Sequence, residues 1–240
     1  MARPAASPSG DEIAFFQSFG PQGYQVVVVN RLGGRERRLT NGRGTMNVLP
    51  TWTPDGESVL FVHEHPPPTS LRRVSRLGGP PTVVLEGANA SSHNGAMSSP
   101  DGRRLVFSHH TGEVEKTMVL DLETGATTEL PEPHLHEPQW SADGEEVLGF
   151  RHDGTVVLCR IGARACREVV ERAAWAAKWT PDRRGLYFPR ASSRHASSRD
   201  VGVFDLWLHE LDTGEERKVG ELRPVYRLAP SYFDVSVTGL

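Results

Sequence analysis

Apolar residues in this chain come in short runs, and polar turn residues separate them. Val26-Val27-Val28-Val29, Val59-Leu60-Phe61-Val62, Leu105-Val106-Phe107, Val147-Leu148-Gly149-Phe150 and Leu186-Tyr187-Phe188 are examples. Runs of this length, rich in Val and aromatics and bounded by Gly, Asp and Pro, predict strands rather than helices. The Asp-Gly and Thr-Gly pairs between them provide the positive-φ positions of tight turns.

One turn recurs. Trp52-Thr53-Pro54-Asp55-Gly56 has copies at Ser99-Pro100-Asp101-Gly102, Ser141-Ala142-Asp143-Gly144 and Thr180-Pro181-Asp182-Arg183, and a fainter one at Ser7-Pro8-Ser9-Gly10. Successive copies lie 46, 46, 42 and 39 residues apart. A period near forty on a strand pattern signals a propeller or another repeat array. Each repeat offers four strands, a to d. In repeat two these are Val48 to Trp52, Ser58 to Val62, Leu71 to Arg76 and Thr82 to Leu85. Proline fixes φ early in the turn, Asp bonds backbone amides two residues on, and Gly takes the left-handed position. Repeat five has Arg183 in the Gly position, and Gly185 is expected to take the turn instead. Trp52, Trp140 and Trp179 stand two residues before the Pro or its replacement, as wedges against a neighbouring sheet.

The expected fold is therefore all-β: a β-propeller of four-stranded antiparallel blades in a single domain, 1–240. The repeats span about 1–42, 43–88, 89–132, 133–172 and 173–222. Residues 223–240 would then begin a sixth blade, or return to complete the first and close a five-bladed ring.

The pattern Pro-x-Trp-Ser-Pro-Asp-Gly-x-x-Leu-x-Phe, followed by a strand and an Asp-x-x-Thr-Gly turn, resembles the TolB-type, WD-repeat-like β-propeller repeat. It is also similar to repeats in the propeller domains of prolyl-oligopeptidase-like peptidases. The resemblance runs from residue 4 to about 222 and implies architecture rather than activity. A six-bladed ring is what likeness to TolB propellers implies.

Composition narrows the function classes. A 37% hydrophobic content with 24 Gly and 18 Pro suits many short strands better than helices around one thick core. A formal net charge of −3 gives no overall pull toward nucleic acid or anionic membrane. Basic residues are almost all Arg, Lys occurring only at 116, 178 and 218, a bias that genomic base composition accounts for. No apolar run reaches the length of a membrane span. The first residues lack the apolar stretch of an export signal, so the sequence as it stands reads as cytoplasmic, or periplasmic if such a signal has been removed. Cys159 and Cys166 fall on strands c and d of repeat four. A two-residue turn at Gly162-Ala163 would set them opposite each other, and a three-residue turn would not. A hydrogen-bonded β pair is poor geometry for a disulfide, so two free thiols and one bridge are both open.

Histidine carries the candidate chemistry. Eight of the ten histidines map to the d–a and b–c connections, which share one end of each sheet, and His63 ends a b strand at that same end; His209 is the exception. Glu64, Glu113, Glu115, Glu137, Asp153 and Asp200 accompany them. The candidate ligand-binding residues are His93, Asn94, His110, His134, His136, Glu137 and His152. Alternation in the extended segment Pro133-His134-Leu135-His136-Glu137 points both histidines to one side. Imidazole with carboxylate can hold a divalent metal or recognise a polar ligand. The His-x-His spacing resembles, loosely, the histidine-lined metal site of oligogalacturonate lyases, which would make His93, His134 and His136 ligands. Three histidines farther apart than about 8 Å could not share one ion at metal–ligand bonds of about 2 Å.

No nucleophile elbow of the Gly-x-Ser-x-Gly type and no phosphate-cradling loop is present. Leu32-Gly33-Gly34 and Leu77-Gly78-Gly79 read as equivalent c–d turns, and the Ser-rich stretch Ala191 to Ser198 as a b–c insertion. The expectation is a non-catalytic binding or scaffold module without catalytic residues, cofactor or metal, recognising a protein or a small polar ligand, with no nucleic acid and no membrane span. The alternatives are a metal-dependent lyase acting on acidic sugars, and the accessory propeller of a peptidase lacking its hydrolase domain.

Overall fold

The computed structural model describes residues 4–87, 96–111, 114–173, 177–191 and 204–222, with backbone alone at 110 and 111. The chain divides into two compact units, Met1–His134 and Leu135–Leu240.

The first unit holds three sets of strands. β1 (Ala5–Ala6), β2 (Glu12–Ser18), β3 (Gly23–Asn30) and β4 (Arg37–Arg38) form the first. β5 (Thr45–Trp52), β6 (Ser58–His65), β7 (Ser70–Ser75) and β8 (Thr82–Glu86) form the second. β9 (Ala96–Ser98), β10 (Arg104–Thr111), β11 (Val114–Asp121) and β12 (Thr127–Glu129) form the third. Within each set the strands pair antiparallel in chain order. The inner place of the first set is taken by β1, with Ala5 opposite Ala14.

The first two sets are joined by a feature that the repeat does not predict. β4 covers only two residues of β3, and the exposed end of β3 pairs in parallel with β5, Gly23 with Thr45 and Tyr24 with Met46. Gly23 is needed there, because a Cβ at that position would sit 2.0 Å from the Thr45 carbonyl oxygen.

Facing sheets bury alternate residues of their strands. Ala14, Val26, Val28 and Leu39 meet Trp52, Val59 and Phe61 between the first and second sets. Leu60 and Leu71 meet Leu105 and Phe107 between the second and third. Each buried Val, Leu or Phe contributes about 1.5–3 kcal/mol, so these layers are the main source of stability. Trp52 wedges as expected, its Nε1 donating to the Ala5 carbonyl at 2.9 Å.

The second unit repeats the plan. β13 (His136–Trp140), β14 (Glu146–Phe150), β15 (Val156–Arg160) and β16 (Arg167–Val170) form one four-stranded sheet. β17 (Lys178–Trp179), β18 (Gly185–Ala191), β19 (Phe204–Glu210) and β20 (Glu216–Leu222) form another. Leu148, Phe150, Val156 and Leu158 pack against Leu186 and Phe188 between them.

The recurring turn has one geometry throughout. Thr53, Ser99, Ser141 and Thr180 each donate a hydroxyl to the Asp two residues on, at 2.5–2.6 Å. The same hydroxyl accepts the amide five residues on, at 2.9–3.1 Å. Ala142 in place of Pro leaves this unchanged. The expectation for repeat five is corrected: Arg183 itself takes the left-handed position, at φ 63°. Gly185 instead begins β18, where a Cβ would meet the His209 carbonyl oxygen at 2.6 Å. Gly33-Gly34 and Gly78-Gly79 do form equivalent turns, with φ of 88° and 115° in one and 92° and 116° in the other.

Cys159 and Cys166 form a disulfide. The ladder pairs Val157 with Glu168 and Leu158 with Arg167, which sets the cysteines opposite each other. Their Cα atoms are 4.3 Å apart, the spacing of a non-hydrogen-bonded pair. The objection drawn from hydrogen-bonded geometry therefore does not apply. The stretches containing 192–198 and 223–240, to which the insertion and the sixth-blade or ring-closing strand were assigned, lie outside the described residues.

Candidate functional site

In each antiparallel set the a–b and c–d turns lie at one end, and the b–c and d–a connections at the other. The candidate residues belong to the second end. His93 and Asn94 lie outside the described residues, and His110 is described only in backbone, opposite Glu115 in the β10–β11 ladder.

In the first unit, Glu115 of β11 points its Oε2 at His134 Nδ1, 3.2 Å away. His134 is carried by the connection after β12, which is tied to β11 where Thr117 Oγ1 donates to the Pro133 carbonyl at 3.3 Å. The first unit therefore brings together an imidazole and a largely buried carboxylate.

In the second unit, His136 and His152 come together at the b–c and d–a end of the β13–β16 sheet, with Glu137 next to His136 in the chain. His136 stacks on Phe150, its partner in the ladder, with centroids 5.3 Å apart and planes 17° apart. The His152 ring lies 5.9 Å from His136. The local cause is a departure from the repeat at Gly149, which occupies the position of Phe61 and Phe107. A Cβ at 149 would come 2.9 Å from Leu135 Cβ. Leu135 is fully buried in the space so opened, and it anchors the segment that bears His136.

His152 rides on a tight b–c turn. The Arg151 amide donates to the Thr155 carbonyl at 2.9 Å, and the Gly154 amide to the Arg151 carbonyl at 3.0 Å. Asp153 Oδ1 accepts the Thr155 amide at 2.8 Å, and that bond is the main cause holding its carboxyl below the ordinary carboxylate value.

Glu137 has φ 47°, within a ladder irregularity between His136 and Gln139. Such a backbone in a non-glycine residue often marks a functional site. Here it marks the repeat instead: Leu49, also just before a Pro, has φ 53° in the equivalent irregularity of β5.

Among the described residues no three His, Cys, Asp or Glu side chains form a group able to hold a metal ion. Among the described residues no helix is long and apolar enough to cross a membrane.

Sequence reading missed a second polar cluster at the same end of the first unit. Gln25, Thr40, Asn47 and His63 are all buried and hydrogen-bonded to one another. The one signal for it is a glutamine opening the Val26–Val29 run, since a polar side chain there must find partners inside.

No family model matches the sequence, and no curated protein matches it. Solved structures do. TolB from Acinetobacter baumannii superposes with a TM-score of 0.69 at 16% identity, over 92% of this chain and 55% of that one. The fold is that of a TolB-like β-propeller. An oligogalacturonate lyase in complex with manganese gives 0.68 at 18% identity, over 91% of this chain and 64% of the lyase. The β-propeller domain of the Trilobed protease from Pyrococcus furiosus, which has an open velcro topology, gives 0.60 at 15% identity, over 90% and 70%. This chain thus spans about half the length of the Acinetobacter protein. TolB, a lyase and a protease domain share the propeller frame, so the frame does not choose among them.

Proposed function

We propose that this propeller is a non-catalytic binding module, which recognises a protein or a small polar ligand through the end bearing the d–a and b–c connections. The observation that carries this reading is the His136–Phe150–His152 ring cluster. Two imidazoles and a phenyl ring are held on a pinned turn and a buried anchor, so little ordering remains to be done on binding. The two imidazoles, His136 half-buried and His152 exposed beside a buried phenyl ring, offer flat apolar area together with hydrogen-bonding edges. The likeness to TolB supports a protein as the partner class.

The test is a photo-crosslinking residue placed at 152 and, as control, at 143 in the recurring turn. The expected result is adducts from 152 and none from 143. Equal capture at both positions would sink the reading.

The manganese complex of the structurally similar lyase supports a second reading, in which this chain is a metal-dependent lyase acting on acidic sugars. Calorimetric titration with manganese and with zinc decides it. No heat and no shift in melting would dispose of it. The protease propeller likewise supports the reading of an accessory domain to a hydrolase, which co-purification with such a hydrolase would test.

A further inference from the structure

Between Glu12 and Arg31 the chain carries no charged residue, whereas the matching stretches of the third and fourth repeats carry Glu115, Lys116, Arg151 and Asp153. The uncharged stretch supplies most of β2, the Gly20–Gln22 turn and β3, and it meets β5 in the short parallel pairing. A row of register partners results at the end bearing the b–c and d–a connections, the open end of the first unit. Ser18 pairs with Tyr24, Tyr24 with Met46, and Met46 with His65. Register partners on neighbouring strands project to one face. The row therefore runs unbroken from β2 to β6, across two repeats, whereas the later repeats form separate sheets.

This row is open to solvent and rests on a core. Tyr24 is 40% exposed and Met46 37%, and His65 is exposed together with Pro66, Pro67 and Pro68. Phe16 meets Tyr24 edge to face with centroids 6.0 Å apart, and packs on the buried Val48, Leu49 and Val62. Exposed Tyr and Met without charge, seated on buried apolar residues, have the composition of an interface centre rather than of ordinary surface.

The buried Gln25, Thr40, Asn47 and His63 form an amide chain that fixes the backbone beside the row. Gln25 Nε2 donates to the Gln22 carbonyl and to Thr45 Oγ1, both at 2.6 Å. Gln25 Oε1 accepts from Thr40 Oγ1 at 2.9 Å and from Asn47 Nδ2 at 3.0 Å, and Asn47 Oδ1 faces His63 Nδ1 at 2.7 Å. The Gly44 amide donates to the Pro21 carbonyl at 3.0 Å. With residues 21–25 held against 40–47, a partner has little ordering left to impose.

Charge is confined to the rim, and it is positive. Arg37, Arg151 and Arg190 each donate to a carboxylate of the chain, on Glu12, Glu168 and Glu216. Arg38 is held by neutral groups instead. Its Nε donates to the Thr40 carbonyl at 2.9 Å and its Nη1 to Gln22 Oε1 at 2.7 Å, with the guanidinium 4.4 Å from the centre of the Phe19 ring. Those bonds leave Nη2 unused. Arg43 is exposed, and among the described residues it has no carboxylate partner. Glu36 precedes β4 at the turn end, and Glu64 alternates to the other face of β6. A guanidinium fixed by uncharged acceptors keeps its charge for an incoming carboxylate.

We propose that the β3–β5 junction is a docking site for an acidic segment of a partner protein, which lays an apolar side chain on the Tyr24–Met46–His65 row and sets carboxylates on Arg38 and Arg43. The site rests on the reading of this end as the binding end, and uses residues other than the ring cluster. Two rim arginines fall short of the cluster of about four to eight basic residues that an anionic membrane attracts, so the chemistry fits a protein.

The experiment titrates the full chain with a fluorescein-labelled peptide, Asp-Glu-Asp-Phe-Leu-Asp-Glu-Asp, followed by polarisation and by the Met46 methyl signal in NMR. Binding with a Kd of about 1 mM or below and a moving Met46 signal are expected. The same peptide with Ala for Phe-Leu should bind about tenfold more weakly, and the version with Lys for every acid should not bind. Arg43→Glu and Tyr24→Ala should each weaken the peptide about tenfold; Arg43 bonds to nothing described, so its variant keeps the fold if Tyr24→Ala does not. No binding, equal binding of the Lys peptide, or affinity unchanged in Arg43→Glu would each overturn the proposal. So would binding of phosphatidylserine vesicles, but not of the peptide, that Arg43→Glu abolishes, since the patch would then belong to a membrane. Crosslinked adducts from 152 without peptide binding overturn this site alone. Peptide binding without adducts from 152 supports it and overturns the ring cluster alone.

Discussion

The two ends of these sheets are built by opposite rules. At the turn end, Thr53, Ser99, Ser141 and Thr180 make the same bonds to the same Asp and amide positions, within about 0.2 Å. At the other end each repeat differs. The first unit has an amide chain ending on His63 and a His134–Glu115 pair; the second has rings stacked over Phe150. Repetition marks what every blade needs in order to fold. Departure from the repeat marks where a site can be built, and Gly149 shows how one missing side chain admits a new segment.

The comparison is tested hardest at Gln25. If the open end of the first unit depends on its buried amide chain, Gln25→Leu must leave the Gln22 carbonyl, Thr40 and Asn47 short of partners. Each unsatisfied buried group costs about 1–3 kcal/mol, so a loss of about 3 kcal/mol is expected in urea unfolding. An effect below about 1 kcal/mol would mean the chain is decoration, and that this end is no more specified than an ordinary loop.

The Cys159–Cys166 bridge is an idiosyncratic feature at the turn end, closing the c–d hairpin of the fourth repeat. For a loop this short the unfolded chain loses little freedom, and removal of the bridge should cost about 2 kcal/mol. The paired substitution Cys159→Ala with Cys166→Ala, compared with the oxidised chain by thermal melting, measures it. Alkylation without reductant should leave the natural chain unmodified.

Much of the turn end was legible because its signals are local. Pro, Asp and Gly act within a few residues, and four imperfect copies suffice to phase the strands. The places where local reading failed are those where a distant group decides. Arg183 takes the left-handed backbone that this turn demands in every copy, and Gly185 is kept instead for its place in β18 against the His209 carbonyl. The disulfide depends on which ladder pairs exchange hydrogen bonds, a property of sheet register rather than of spacing. The candidate site was half legible. His134, His136 and His152 could be assigned to the right end, but their partners Glu115 and Phe150 follow from pairing. Gln25, Asn47 and His63 were unreadable as a set, since no pattern links residues so far apart in the chain.

Equivalence of the turns can itself be challenged. Ser99→Ala and Ser141→Ala each remove a hydroxyl that bonds an Asp and an amide, and each should cost about 1–2 kcal/mol. The two losses should agree within about 0.5 kcal/mol. A large difference would show that one turn has a duty beyond folding. The same turns predict an acid limb. Hydroxyl bonds first, then backbone amides, hold Asp55, Asp101, Asp143 and Asp182 below the ordinary value of 3.8. A lowered carboxylate contributes above its unfolded value and loses that contribution as pH falls through the folded one. A decline in melting temperature starting below about pH 4 should follow, shallower in Ser99→Ala than in the natural chain.

The smallest effect on stability should accompany the largest effect on binding. His136 and His152 are half-buried or exposed, and neither belongs to the repeated turn or the interior layers. The double substitution His136→Ala with His152→Ala removes one ring stacked on Phe150 and one beside it, interactions of about 0.5–1.5 kcal/mol at most when buried and less at this exposure. Unfolding free energy should change by less than about 1 kcal/mol, while crosslinking from a probe held at Glu137 falls to the level of the turn-end control. If stability instead drops as far as in Gln25→Leu, the ring cluster is a structural clasp like the amide chain. The open ends of the two units would then follow one rule, and the site would have to be sought elsewhere.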